Sequence, residues 1–235
     1  MNAQLLIKFA GVILPVALFG QTAPPPAYLL NPVGSNLEDA FQVNYTANLN
    51  LADAVVNVAN AGSSAANVAP TSSNTSGDVC VNVYVYRPTE QLAACCSCAT
   101  TPNGLYSWPV IYGSSALLAN ATNKPNSVVI KVVATSPATS STATNIVCDP
   151  TFGTAPLSLV PGLAVWGTHI HATPTSTIGL TETAFNKPGL SLGEATKLQN
   201  DCAALGSGQR CPGCLNMGLA QPAPATALKP SLGGM

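Results

Sequence analysis

Residues Asp78–Cys98, DVCVNVYVYRPTEQLAACCSC, read as two strands joined by a short turn, and they carry four of the eight cysteines in the chain. Asp78–Tyr86 is rich in valine and tyrosine, side chains that pack well on a pleated surface. Arg87-Pro88-Thr89-Glu90 is a turn sequence, because proline presets the backbone angle that a type I turn needs at its second position. Gln91–Cys98 then runs back alongside. If Tyr86 faces Gln91, Cys80 falls opposite Ser97 with Cys96 and Cys98 one place to either side. A one-residue bulge would bring either of them into bonding range of Cys80. Cys95 and Cys96 are neighbours on a strand and must point to opposite faces. They are therefore placed to tie two different elements to the hairpin, and ill placed to share one tetrahedral metal.

Outward from the hairpin, strand signals recur. Upstream lie Phe41–Tyr45 (FQVNY), apolar at every second place, and Ala54–Ala59 (AVVNVA). Downstream, Thr101-Pro102-Asn103-Gly104 is a turn. Leu105–Tyr112 follows as a strand that Pro109 confines to an edge or a bend. Asn126–Thr135 (NSVVIKVVAT), Gly162–Thr173 (GLAVWGTHIHAT) and Ile178–Phe185 (IGLTETAF) complete the set. Ser63–Gly77 and Ser136–Thr144 are small, polar loops. One segment reads as helix: Ser191 caps it, Glu194 stands at capping-box spacing, and Leu192, Ala195, Leu198, Cys202 and Leu205 form one apolar face. Gly206 and Gly208 are stops. Seven or eight short strands with regular turns predict a mainly β fold, a two-sheet antiparallel sandwich with one C-terminal α-helix, stapled by disulfides.

The ends have a different character. Met1–Gly20 has the form of a secretory signal, with Lys8 before the short apolar core Phe9–Phe19, and cleavage is expected after Gly20. That core is shorter than the roughly 20 residues of a membrane helix, which argues against retention as an anchor. Residues 21–35 form a Pro-rich spacer, 36–218 the sandwich domain with its helix, and 219–235 a disordered Pro/Ala tail. Eight cysteines in an exported chain of this kind point to cross-links, since oxidising compartments keep disulfides formed. All of Cys80, Cys95, Cys96, Cys98, Cys148, Cys202, Cys211 and Cys214 are expected to be paired. Eight cysteines allow about 105 connectivities. The single apolar stripe of the helix is thin, so at least one of Cys202, Cys211 and Cys214 is expected to bond to Cys95, Cys96 or Cys98.

The combination CCSC-x-x-TPNG, SVVIKVVAT, AVWGTHIHATP, TETAF and the capped helix ending in spaced cysteines resembles a group of uncharacterised exported bacterial proteins. The resemblance covers Val79–Cys214 and implies export and disulfides; it implies no activity and no ligand.

Charge excludes several functions. Eight Lys and Arg against nine Asp and Glu, for a formal net charge of −1, leave no basic cluster to displace counterions from nucleic acid or to hold an anionic membrane surface. No phosphate loop, dinucleotide fingerprint or Gly-x-Ser-x-Gly is present. Cys211-Pro212-Gly213-Cys214 has zinc or redox spacing, but it follows a helix in an exported chain, where cross-linking explains it better. His169 and His171 share a strand face, with Glu182 the nearest third ligand; they read as ordinary strand histidines, one of them bonded to Thr173 or Thr181. A carboxylate pair for hydrolysis would have to combine Glu182 with Asp149 or Glu90. Tyr84, Tyr86, Tyr106, Trp108 and Tyr112 read as core and sheet-to-helix packing, with an exposed sugar-stacking strip around Trp108 as the alternative. The expectation is an exported structural or adhesive protein of the envelope or extracellular space, without catalysis, cofactor or metal. Its partners would be envelope components, further copies of the chain or a polysaccharide. A carbohydrate-binding module comes second and a secreted hydrolase third.

Overall fold

The computed structural model describes residues 39–63, 77–139, 146–151, 159–172, 178–205 and 209–211. The segments expected as signal, spacer and disordered tail, together with residues 64–76, residues 140–145 and Cys214, lie outside the described residues. In chain order the strands are β1 (Phe41–Thr46), β2 (Ala54–Asn60), β3 (Val79–Tyr86), β4 (Leu92–Thr100), β5 (Leu105–Pro109), β6 (Val128–Thr135), β7 (Ala138–Thr139), β8 (Ile146–Val147), β9 (Leu163–Ala172) and β10 (Ile178–Ala184). The helix α1 (Leu192–Ala204) and the two-residue β11 (Gln209–Arg210) close the described chain. One sheet has the order β1-β6-β3-β4-β11 and the other β10-β9-β2-β5, with β7 and β8 as a separate small ribbon. All pairs are antiparallel except β11 with β4. The fold is therefore the expected two-sheet sandwich with one C-terminal helix. Tyr112 lies outside the strand that contains Trp108.

β3 is buried along its whole length because it is covered on both faces. Val79, Val81, Val83 and Val85 point between the sheets and pack with Val56, Val58, Ile130 and Val165. Tyr84 and Tyr86 point the other way and pack with Phe41, Val133, Cys95, Leu198 and Cys202 beneath α1. Asn82, on that same outer face, is fully used: its amide donates to the Val133 carbonyl and to Thr135 Oγ1, each at 3.0 Å, and its oxygen accepts from Ser97 Oγ at 2.6 Å. Saturating a buried amide in this way avoids the desolvation cost of leaving it unpaired.

The hairpin turn forms as read, with the Glu90 amide donating to the Arg87 carbonyl at 3.0 Å and the Arg87 amide donating to the Gln91 carbonyl at 2.9 Å. Glu90 adopts φ +62°, and a register shift between Val85 and Tyr86 follows. Tyr86 faces Leu92 rather than Gln91, and Cys80 faces Ala99 rather than Ser97. A slip of two places leaves the faces unchanged, so Cys80 stays outside while Cys96 and Cys98 point into the core. A one-residue bulge would have brought Cys96 or Cys98 into range of Cys80, and the two-place slip does not. Cys80 bonds to Cys148 instead, with the Cα atoms 5.5 Å apart.

The vicinal cysteines behave as the alternation requires. Cys95 reaches out to Cys202 in α1, and Cys96 reaches into the core to Cys211, just after β11. Sequence separations of 107 and 115 residues make these long loops. Each is worth about 4–5 kcal/mol in the chain-entropy model. Cys98 is disulfide-bonded as well.

In α1, Ser191 Oγ accepts from the Glu194 amide at 3.1 Å, which completes the N-cap. The Glu194 carboxylate turns to Lys131 on β6, 2.5 Å away, and fastens the first turn to the sheet. Only Ala195, Leu198 and Cys202 are buried. Leu192 and Leu205, expected in the apolar face, are 52% and 48% exposed. They sit at the two ends of the helix, past the patch made by Tyr84, Tyr86 and Cys95. One buried leucine contributes about 1.5–3 kcal/mol, which is little against about 1–2 kcal/mol of ordering entropy per residue. The Cys95–Cys202 bond supplies what the stripe lacks.

Two outcomes are expected. Thiol titration in denaturant without reductant gives a value near zero, and non-reducing peptide mapping shows the three bonds above with Cys98 joined to Cys214; two or more reactive thiols would contradict this. Replacing both Cys95 and Cys202 by Ala lowers stability by about 2–5 kcal/mol in denaturant unfolding, with protection of the α1 amides from hydrogen exchange lost first. Undiminished protection in α1 would show that packing alone holds the helix.

Candidate functional site

The strand register decides what each side chain can reach. On β9, Leu163 and Val165 enter the core, so Gly167, His169 and His171 share that inner face near its open end, while Trp166, Thr168 and Ile170 face outward. His171 Nε2 lies 3.0 Å from Thr181 Oγ1 on β10, one of the two partners expected from sequence; the other, Thr173, lies outside the described residues. Glu182 faces Thr168 in the β10–β9 register and is therefore on the outer side of the sheet. The three side chains considered as ligands thus lie on two faces of one sheet. No group of three or more His, Cys, Asp or Glu side chains suited to a metal occurs among the described residues.

Around His169 the inner face turns polar. β1 contributes Gln42 and Asn44, both buried. The Gln42 amide donates to the Leu163 carbonyl at 2.7 Å and to the Asp39 carbonyl at 2.9 Å. Asn44 comes against Gly167: a Cβ there would lie 3.1 Å from Asn44 Nδ2 and 3.8 Å from His169 Nε2. A side chain at Gly167 would thus crowd Asn44, which would have to shift by a few tenths of an ångström. Burial, then the neighbouring His171, lowers the pKa of His169, so the ring is neutral at pH 7.

The carboxylates are dispersed over structural tasks. Asp53 Oδ1 accepts from the Ala54 and Ile111 amides and Oδ2 from the Tyr112 amide, fixing the chain after β5. Asp149 accepts from the amide and hydroxyl of Thr151. Asp201, in α1, accepts from Tyr86 Oη at 2.9 Å and from Lys197 at 2.5 Å. Asp149 lies by Tyr84 on the helix-covered side of the sandwich and Glu90 lies in the β3–β4 turn. Glu182 faces out from the opposite sheet, and packed sheets are about 10 Å apart. The pairs suggested for hydrolysis, Glu182 with Asp149 or Glu90, are not brought together.

The aromatic side chains divide in the same manner. Tyr106 and Trp108 stack at 5.2 Å, with the rings within 10° of parallel. Trp108 is 2% exposed and belongs to the core; Tyr112 is exposed, with Lys124 5.0 Å from its ring centre. The strip around Trp108 is packing and not an open platform. Tyr84 and Tyr86 lie under α1, where burial foremost raises both phenol pKa values, with Tyr86 and Asp149 adding at Tyr84 and the Asp201 hydrogen bond adding at Tyr86. Both remain protonated donors, Tyr84 to the Pro150 carbonyl and Tyr86 to Asp201. Lys131 and Lys197 stand over the Tyr86 ring at 4.7 and 5.2 Å.

Sequence reasoning passed over the outer face of the β10-β9-β2-β5 sheet. There Ser107 Oγ donates to Asn57 Oδ1 at 2.7 Å, and Asn57 Nδ2 donates to Thr168 Oγ1 at 2.9 Å, a polar row across three strands beside Trp166. The period of two in GLAVWGTHIHAT contains the signal, since it puts Trp166 and Thr168 on the face opposite His169. Asn57 gives the same cue inside AVVNVA.

Comparison with family models, with curated proteins and with solved structures finds no match. No described helix is long and apolar enough to cross a membrane.

The depressed pKa of His169 makes stability depend on pH. Between that pKa and the ordinary value near 6.5 the unfolded chain binds more protons, so stability falls as the pH drops through this window. Replacing His169 by Gln should flatten the melting temperature between pH 7 and pH 5 and leave the metal content of the purified protein unchanged. An unaltered acid slope, or loss of a metal ion, would contradict the structural role.

Proposed function

We propose that the chain is an exported, disulfide-stapled protein with a structural or adhesive role in the cell envelope or the extracellular space, and that its role is non-catalytic. The observation that carries this reading is the clamp on β4. Adjacent Cys95 and Cys96 hold α1 on one face and Cys211 in the core on the other, through bonds of 107- and 115-residue separation. Such bonds persist in oxidising compartments and are removed in the cytosol. The reading is further supported by the use of Asp53, Asp149, Asp201 and Glu194 as fasteners of loops and helix, and by a surface nearly free of charge.

A second reading, binding of a neutral polysaccharide, moves from Trp108 to Trp166. The row Ser107–Asn57–Thr168 beside that indole offers hydroxyls, an amide and an aromatic side chain on one sheet face, the combination on which sugar rings stack and hydrogen-bond.

Expressed from its own first residue in a bacterial host, the chain should be recovered outside the cytosol with Gln21 as its amino terminus and without free thiols. It should remain with the envelope or in extracellular assemblies after washing. Recovery from the cytosol with reduced cysteines would sink the proposal. Retention on insoluble neutral polysaccharide that is lost in Trp166→Ala would favour the second reading.

A further inference from the structure

We infer that β10 is a self-association edge: two copies of the chain pair their β10 strands antiparallel about a two-fold axis at Thr181, making one continuous sheet from two four-stranded ones. The inference goes beyond the proposed function and does not depend on where the protein works.

Unpaired strand edges recruit other strands, and natural sheets blunt them with short strands, proline, lysine or a covering element. Three of the four edges here are blunted. β11 is two residues long. β1 is engaged on its free side by Asn186, through Val43 N to Asn186 O at 2.8 Å and Asn186 N to Val43 O at 2.9 Å. β5 has five residues and ends at Pro109, which has no N–H to offer. β10 differs from all three. It pairs with β9 residue for residue over Ile178–Ala184 without a register shift; it contains no proline and no lysine, and its one charged residue is Glu182. Leu180 through Ala184 are exposed, Leu180 at 63%. Among the described residues no strand pairs with its outer side, and its outer backbone groups form an uninterrupted row of the kind another strand completes.

The occupant is a second copy because the strand complements itself. A two-fold axis at Thr181 uses all seven residues and pairs Ile178 with Ala184, Gly179 with Thr183, Leu180 with Glu182 and Thr181 with its own counterpart. Residues facing across the pair then share a sheet face, as antiparallel pairing requires. The one charged side chain, Glu182, meets Leu180 of the second copy, so that its methylenes cover the exposed leucine. An axis at Glu182 would oppose two carboxylates, which is unfavourable.

Sedimentation velocity over a range of concentrations tests the inference, with the disulfide map and circular dichroism confirming that each variant is folded. The wild-type chain should form a dimer. Leu180→Glu sets a carboxylate against Glu182 twice by symmetry and should weaken association by about tenfold or more. Leu180→Lys removes the same leucine but sets an ammonium against Glu182, and should keep or tighten the dimer. A monomeric wild type, equal weakening by the two variants, or a dimer indifferent to both would each overturn the inference.

Discussion

Two adjacent cysteines on one strand cannot face the same way. From that constraint on Cys95 and Cys96 follows the arrangement of the last part of the chain. β4 lies between β3 and β11, with one side toward the sandwich core and the other toward the helix. Cys95 bonds outward to Cys202 in α1 and Cys96 bonds inward to Cys211. Cys202 and Cys211 are thereby fixed on opposite faces of the sheet. Between them in sequence, β11 sets its Gln209 beside Cys96 and its Arg210 beside Ser97 in parallel. A parallel pair with a strand more than a hundred residues earlier is costly in loop entropy, and the two bonds on either side of it remove that cost once formed.

With α1 held down, the outer face of β3 is shielded and can carry large side chains with polar tips. Tyr84 and Tyr86 bury their rings and send their hydroxyls to Pro150 and Asp201. Lys131 and Lys197 flank the Tyr86 ring while pairing with Glu194 and Asp201. Four of the chain's few charges are thereby concentrated at the helix–sheet junction. The exposed pair Lys197–Asp201 contributes little by itself. The junction gains from the rings and methylenes that these charges orient.

Most of the fold was legible because period-two patterning was strong. FQVNY, AVVNVA, SVVIKVVAT and the hairpin all became strands near their expected bounds, and the Ser191 cap began the helix. The link from the late cysteines to the hairpin was readable from the thinness of the helix stripe. The register was not: the left-handed Glu90 and the adjoining bulge set Cys80 opposite Ala99 instead of Ser97, a two-place slip that local propensity does not reveal and that keeps Cys80 on the face away from Cys96 and Cys98. Exposure at the ends of α1 was equally hidden: Leu192 and Leu205 satisfy the helical period, yet the patch beneath the helix is too short to cover them. For the candidate site, a histidine bonded to a threonine, Thr173 or Thr181, was foreseeable, whereas the choice of His171 with Thr181 and the position of Glu182 on the other face required the β9–β10 register.

The same alternation explains why the helix covers one sheet and not the other. The helix-side face of the first sheet presents Phe41, Tyr84, Tyr86 and Val133, more apolar surface than water tolerates without cost, and α1 lies there. The outer face of the second sheet carries Asn57 between Ser107 and Thr168, each satisfying the next. A polar row that spends its hydrogen bonds internally lets Trp166 and Ile170 stand beside it half-buried, with no helix over them among the described residues. A chain with so few charges must mark its solvent-facing sheet in some other manner, and it does so with amides and hydroxyls. Exchanging the outward residues of β2 and β3 would reverse the preference: Tyr at position 57 would leave the second sheet in need of a cover, and Asn at 84 and 86 would leave α1 with nothing apolar to sit on.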